Sequence, residues 1–222
     1  MSDDSFFREV DQELRQDQAK AVWDRYGPFV LAFAVTIVLA TAAWVAWDYW
    51  TQTRANRSGD AYSQALLLAR EGRTEEAKAA LAELEAGGYG AYPVLARMRS
   101  ATLLAEAGDH QGAVAGFDGV AADRAVAASI RDMARLRAGL LLVDHGSYAD
   151  VSQRVEALTV ETNALRHTAR EALALSAWKD GRHADAATLF SQIADDEGAP
   201  SNARQRAEIM SELIRGSGGA AS

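Results

Sequence analysis

From Tyr26 to Trp47 the chain runs 22 residues without a charge, and Phe29 to Trp47 read FVLAFAVTIVLATAAWVAW. In lipid only a helix satisfies its own backbone along one such stretch, and the length matches the roughly 20 residues that cross a bilayer. Trp23, Tyr26 and Phe29 flank one end, and Trp44, Trp47, Tyr49 and Trp50 the other. Amphipathic rings of this kind sit at the two membrane interfaces. A cleaved signal is disfavoured, because the run is long, follows a charge-rich segment, and carries large aromatics where a cleavage site needs small residues. The expectation is an acidic tail over 1–25 and a retained membrane helix over 26–50. Arg8, Arg15, Lys20 and Arg25 precede the span and only Arg54 and Arg57 follow it closely. That bias predicts an inside N-terminus, with residues 48–222 on the far side.

The remainder, about 170 residues, suffices for one domain with its own core. Its Ala content, the restriction of Pro to positions 28, 93 and 200, and the lack of sustained alternation point to an all-α fold. With no Cys, disulfides and thiolate metal sites are excluded. Of the net charge of −8, the tail carries −3, Asp48 −1 and residues 51–222 the remaining −4. A mildly acidic domain without a basic stripe is a poor nucleic-acid binder.

A Gly followed by a helical segment recurs at Gly72, Gly108, Gly146 and Gly181, at spacings of 36, 38 and 35 residues. Such a period marks helical hairpins that stack into a solenoid. Five residues after each Gly stands a small or short residue (Ala77, Ala113, Val151, Ala186), and nine after it a larger one (Leu81, Phe117, Val155, Phe190). Seven before it the residue is tiny: Ala65, Ala101, Gly139, Ala174. Small residues let two helices approach and large ones fill the space between hairpins, while each Gly suits the left-handed turn that ends a helix.

This pattern resembles the tetratricopeptide repeat, in a degenerate form. The Pro that closes the family's second helix is replaced by Tyr89, Ala125, Asn163 and Gly198, which implies less regular connections. The expected architecture is one membrane helix, four hairpins near 55–86, 92–122, 128–160 and 164–195, and a capping helix from Pro200 to just before Gly216. The repeat domain covers 51–215, and 216–222 is expected to be a disordered tail. Its apolar stripe of Ala203, Ala207, Met210, Leu213 and Ile214 on a polar helix is a cap's profile.

The Trp47-Asp48-Tyr49-Trp50 exit from the span, Tyr89-Gly90-Ala91-Tyr92 before the second hairpin and the Gly-centred turns make the layout similar to the YfgM-like ancillary subunits of the bacterial Sec translocon. The resemblance implies an inner-membrane location with a periplasmic domain, and as partners translocon subunits, periplasmic chaperones or exported clients. It implies no cofactor.

Carrying the repeat's inward positions over places Tyr62, Leu66, Leu95, Met98, Met133, Leu136, Leu140, Leu175 and Trp178 along the concave face. Met and aromatic side chains repack around varied apolar segments, which suits a partner-binding groove. The competing expectation is that they are ordinary core, or are covered by the helix after Pro200. Within the span, Ala32, Thr36 and Ala40 form a ladder of small residues that permits close helix packing. In the tail, Phe6, Phe7, Val10 and Leu14 fall at helical spacing, which an amphipathic helix would use, but the stripe lapses at Gln18 and a solvated, partly frayed segment is the expectation.

Signatures of local catalytic chemistry are missing: no phosphate-binding loop, no HExxH, no Gly-x-Ser-x-Gly and no thiol nucleophile. His110, His145 and His183 lie by the turns, more than 30 residues apart, and are expected at solvent rather than as convergent metal ligands. His167 is expected alone at a helix start, and Glu75-Glu76 and Asp195-Asp196 as solvated helix ends. The expected function is a membrane-anchored protein-interaction module, not an enzyme. A scaffold for envelope assembly or division, and a membrane-anchored hydrolase or its regulator, stand as alternatives.

Overall fold

The computed structural model of the chain describes residues 3–216, with side chains at 20, 23–29 and 31–216. Every described element is helical, and no strand occurs among the described residues. The chain divides into two units, Met1–Asn56 and Arg57–Ser222.

The first helix, α1, spans Asp3–Arg70 without a break and includes Pro28. In the first unit the apolar run is bare: Phe29, Phe33, Val38, Leu39 and Trp44 are all exposed. The Thr36 hydroxyl donates to the Ala32 carbonyl at 2.8 Å and the Thr41 hydroxyl to Ile37 at 2.8 Å. The hydroxyls are therefore satisfied within the helix. The side chains of Phe6, Phe7, Val10 and Leu14 lie outside the described residues, as does the tail 217–222.

The second unit holds four hairpins and a final helix, all-α throughout. The end of α1 pairs with α2 (Thr74–Gly87), α3 (Tyr92–Glu106) with α4 (His110–Ala122), and α5 (Ala128–His145) with α6 (Tyr148–Val155). Then α7 (Arg166–Lys179) pairs with α8 (His183–Ala194), and α9 (Ser201–Gly216) follows. α6 is short, and a 3-10 turn at Glu156–Leu158 extends it. All twelve register positions read from the sequence are buried, from Ala65, Ala77 and Leu81 through Gly139, Val151 and Val155 to Phe190. At Gly139 a Cβ would collide with Val155 Cγ1, so the tiny residue is required where α5 and α6 touch.

The hairpin turns are of two kinds. Gly72, Gly108 and Gly181 have φ of 77°, 86° and 76°. Each sits inside a paired closure: the Gly N–H bonds three residues back, as Gly72 to Ala69, and the next N–H five back, as Arg73 to Leu68. Only a residue without Cβ adopts this conformation readily. Gly146 departs from the expectation, being extended at φ −135° and ψ −172°. α5 runs directly into it, and Ser147 starts α6 through a reciprocal capping box with Asp150. The connection is one residue shorter than the others, so no left-handed residue is needed.

Contacts between hairpins repeat at the period of the sequence. Arg154 on α6 pairs with Asp118 on α4 at 2.7 Å, 36 residues apart. Arg206 on α9 reaches Glu171 on α7 at 2.6 Å, 35 apart. Lys179 on α7 donates to the Val143 and Asp144 carbonyls at the end of α5 at 3.0 and 2.8 Å. Equivalent positions of successive hairpins therefore stack. α9 closes the array by burying Ala203, Ala207 and Ile214 on Ala174, Ala177, Ala186, Phe190 and Ile193 of the last hairpin.

Candidate partner-binding groove

The first helices of successive hairpins present a row of half-buried apolar side chains. Tyr62, Leu95, Met98, Ile130 and Met133 line a cavity of about 420 Å³ together with Arg99, Thr102 and Arg137. A second cavity of about 490 Å³ adjoins it, lined by Met133, Leu136, Leu140, Leu141 and Phe117, and shares Thr102, Met133 and Arg137 with the first. The two form one strip running from the end of α1 across α3 and α5. Met133 and Leu140 are 38% and 40% exposed, too open for core side chains.

Six of the nine residues named from the sequence line this strip: Tyr62, Leu95, Met98, Met133, Leu136 and Leu140. Leu136 needs correction as a free groove residue. It is only 4% exposed and belongs to the core with Val151, Val155, Leu158, Ala169 and Leu173, so it supplies floor rather than grip. Leu66, Leu175 and Trp178 line neither cavity. Leu175 packs on the C-terminal core beside Phe190, while Trp178 stands 38% exposed at the end of α7. α9 lies on α7 and α8, and none of its residues lines the strip.

Tyr62 is held by Tyr92, with ring centroids 6.1 Å apart. The groove's polar members were not read from the sequence. Arg99 pairs with Glu106 at 3.1 Å, and its Nε is buried without a hydrogen-bond partner. Arg137 donates to the Thr102 hydroxyl at 3.3 Å and meets no carboxylate among the described residues.

The turns hold a second feature. His110 and His145, expected as separate solvent-facing residues, stack with centroids 3.6 Å apart and planes 13° apart. They border a cavity of about 680 Å³ with Asp109, Gln111, Val114 and Asp150. Asp109 caps α4 by accepting from the Gly112 N–H at 2.8 Å, and Asp150 is held below the usual carboxylate range by the Ser147 hydroxyl and N–H. Both carboxylates are thus engaged in helix starts. Parallel imidazoles direct their lone pairs side by side rather than at one point, and no group of three or more metal-ligating side chains occurs among the described residues.

His167 is not alone at its helix start. It is buried beside Arg166, Arg170 and Asp196, and neither ring nitrogen has a hydrogen-bond partner. Burial and then the neighbouring Arg166 charge lower its pKa. Asp196 is pulled down by the Gly198 N–H and by Arg166. Glu76 is exposed and lowered by its 2.6 Å pair with Arg73. These carboxylates are stabilised as anions, the opposite of a general acid held neutral.

The tetratricopeptide repeat-like domain model matches residues 20–173. The chain belongs to this family. The match takes in the apolar run and the elements that line the groove, and it ends within α7. No curated protein and no solved structure matches the chain. A tetratricopeptide repeat-like domain is a protein–protein interaction module.

Proposed function

We propose that this chain is a single-pass protein of the bacterial inner membrane, N-terminus inside, whose periplasmic helical domain holds protein partners beside the Sec translocon, as the YfgM-like ancillary subunits do. The groove residues bind chaperones or emerging exported clients, and Ala32, Thr36 and Ala40 pack against a partner's membrane helix. The observation that carries the reading is the strip from Tyr62 to Leu140, apolar and uncovered by α9, in a chain that also has one helix long and apolar enough to cross a membrane. Tethering raises a partner's effective concentration at the membrane without further contacts. The mechanism is colocalisation, with no bond made or broken.

Photo-crosslinking in cells from Met98 and Met133, and from Thr36 in the span, tests this reading. Translocon subunits captured from Thr36, with chaperones or exported chains captured from the methionine positions, are the expected adducts. Capture of division or envelope-assembly proteins alone would replace export by scaffolding. No adduct at all from Met98 or Met133 would remove the groove from the proposal.

A further inference from the structure

The groove has a sign. Its floor is apolar, its two charged members are Arg99 and Arg137, and no carboxylate lines it. This local excess of positive charge sits in a domain whose net charge from residue 51 onward is −4. The two arginines are not equivalent. Arg99 is already neutralised by Glu106, with contacts at 3.1 and 3.3 Å. Arg137 is shared by both cavities, and its one polar contact among the described residues is the neutral Thr102 hydroxyl at 3.3 Å, on the neighbouring hairpin.

At two other cross-hairpin contacts in the second unit an arginine is met by an anion, Arg154 by Asp118 and Arg206 by Glu171, while Lys179 ends on backbone carbonyls. At the groove the corresponding bridge ends on a hydroxyl. A guanidinium at the edge of an apolar strip, tethered but not neutralised, is a preorganised receiver for a carboxylate, since its planar fork loses little freedom when it closes on two oxygens. Tyr62, Met98 and Met133 then supply the apolar bed on either side.

We propose that the groove takes an apolar segment of a protein partner that carries an acidic side chain, with the carboxylate received by Arg137. This rests on the partner-binding reading and narrows it to one chemistry. An apolar segment carrying Lys or Arg at that point is rejected, because it sets two cations together over a surface of low dielectric.

The test uses the full-length protein in lipid nanodiscs and three fluorescein-labelled Leu/Ala/Ser peptides of equal length, identical except for a central Glu, Gln or Lys. Fluorescence anisotropy is expected to show the Glu peptide binding about tenfold more tightly than the Gln peptide, as a charge-assisted contact gives, with the Lys peptide weakest. In Arg137→Gln the Glu and Gln peptides converge while the Gln peptide keeps its affinity. Met133→Asp weakens all three. Equal binding of the Glu and Lys peptides by the unaltered protein overturns the acidic preference and leaves the groove standing. Binding of all three that ignores Met133→Asp, or no binding at all, overturns the groove reading itself.

Discussion

Two regions of the molecule expose large apolar side chains, and they do so differently. Along the span exposure is all round: Phe29 is 73% open, and Phe33, Val38, Leu39 and Trp44 follow on every side of the helix. On α5 in the hairpin domain it is one-sided, with Met133 and Leu140 open toward the groove while Ala134, Leu136 and Ala138 on the same helix are buried. A solvent that is itself apolar tolerates the first pattern, and a partner that docks from one direction tolerates the second. What separates the two is the angular distribution of apolar side chains around the helix.

The strongest way to break that contrast is to remove the interior that makes the domain one-sided. Phe190, 1% exposed between α7, α8 and α9, is its largest fully buried side chain. Phe190→Ala is expected to cost about 3–5 kcal/mol, read by chemical denaturation in detergent, with membrane extraction behaviour unchanged. Next in size is Leu39→Arg, which places a charge on the all-round apolar surface and is expected to cost about 2.5–3.5 kcal/mol of insertion free energy. A membrane-insertion assay checks it, and the thermal unfolding of the hairpin domain should not move.

A pH titration sharpens the contrast from the polar side of the domain. His167 is buried with its pKa lowered by desolvation and by Arg166, against Asp196, which favours its protonation. The folded state therefore takes up its proton at lower pH than the unfolded state does, whose value lies near 6.5. Stability is full above that pH and falls as pH drops below it toward the folded pKa. The melting temperature is expected to decline between pH 7.5 and 5, and His167→Phe to flatten the decline. Below that window, loss of the Asp196 anion adds a further decrease. The smallest effect is the most diagnostic. Met133→Gln should change stability by under about 0.5 kcal/mol, the range of surface positions, whereas a core methionine would cost several times more.

Most of the domain was legible because its rules are local. Ala65, Ala77 and Leu81 and their counterparts sit at fixed distances from each Gly, and burial follows from that register alone. The Gly146 conformation was not foreseen, although Ser147 and Asp150, a capping-box pair three residues apart, announced that α6 starts at once. Groove residues on α3 and α5 line the strip where the sequence placed them, and Leu136 does so from its floor because its helix flank also turns toward α6 and α7. The His110–His145 stack was missed for an instructive reason. A separation of 35 residues was read as distance, yet one repeat period is the offset at which side chains of neighbouring hairpins meet, as Arg137 meets Thr102.

That single-period offset also governs how such a chain acquires its structure. Among the described residues the helices pack mainly on their neighbours in chain order, so no part of the array waits for a distant segment before it gains most of its contacts. Loop-closure costs stay low, and the array can nucleate near its N-terminal end and lengthen hairpin by hairpin as the polypeptide emerges. α9, which covers Phe190 and Ile193, arrives last. Until it does, the end of the growing stack is an exposed apolar surface, and the time spent in that state is set by the rate at which about one further repeat is delivered.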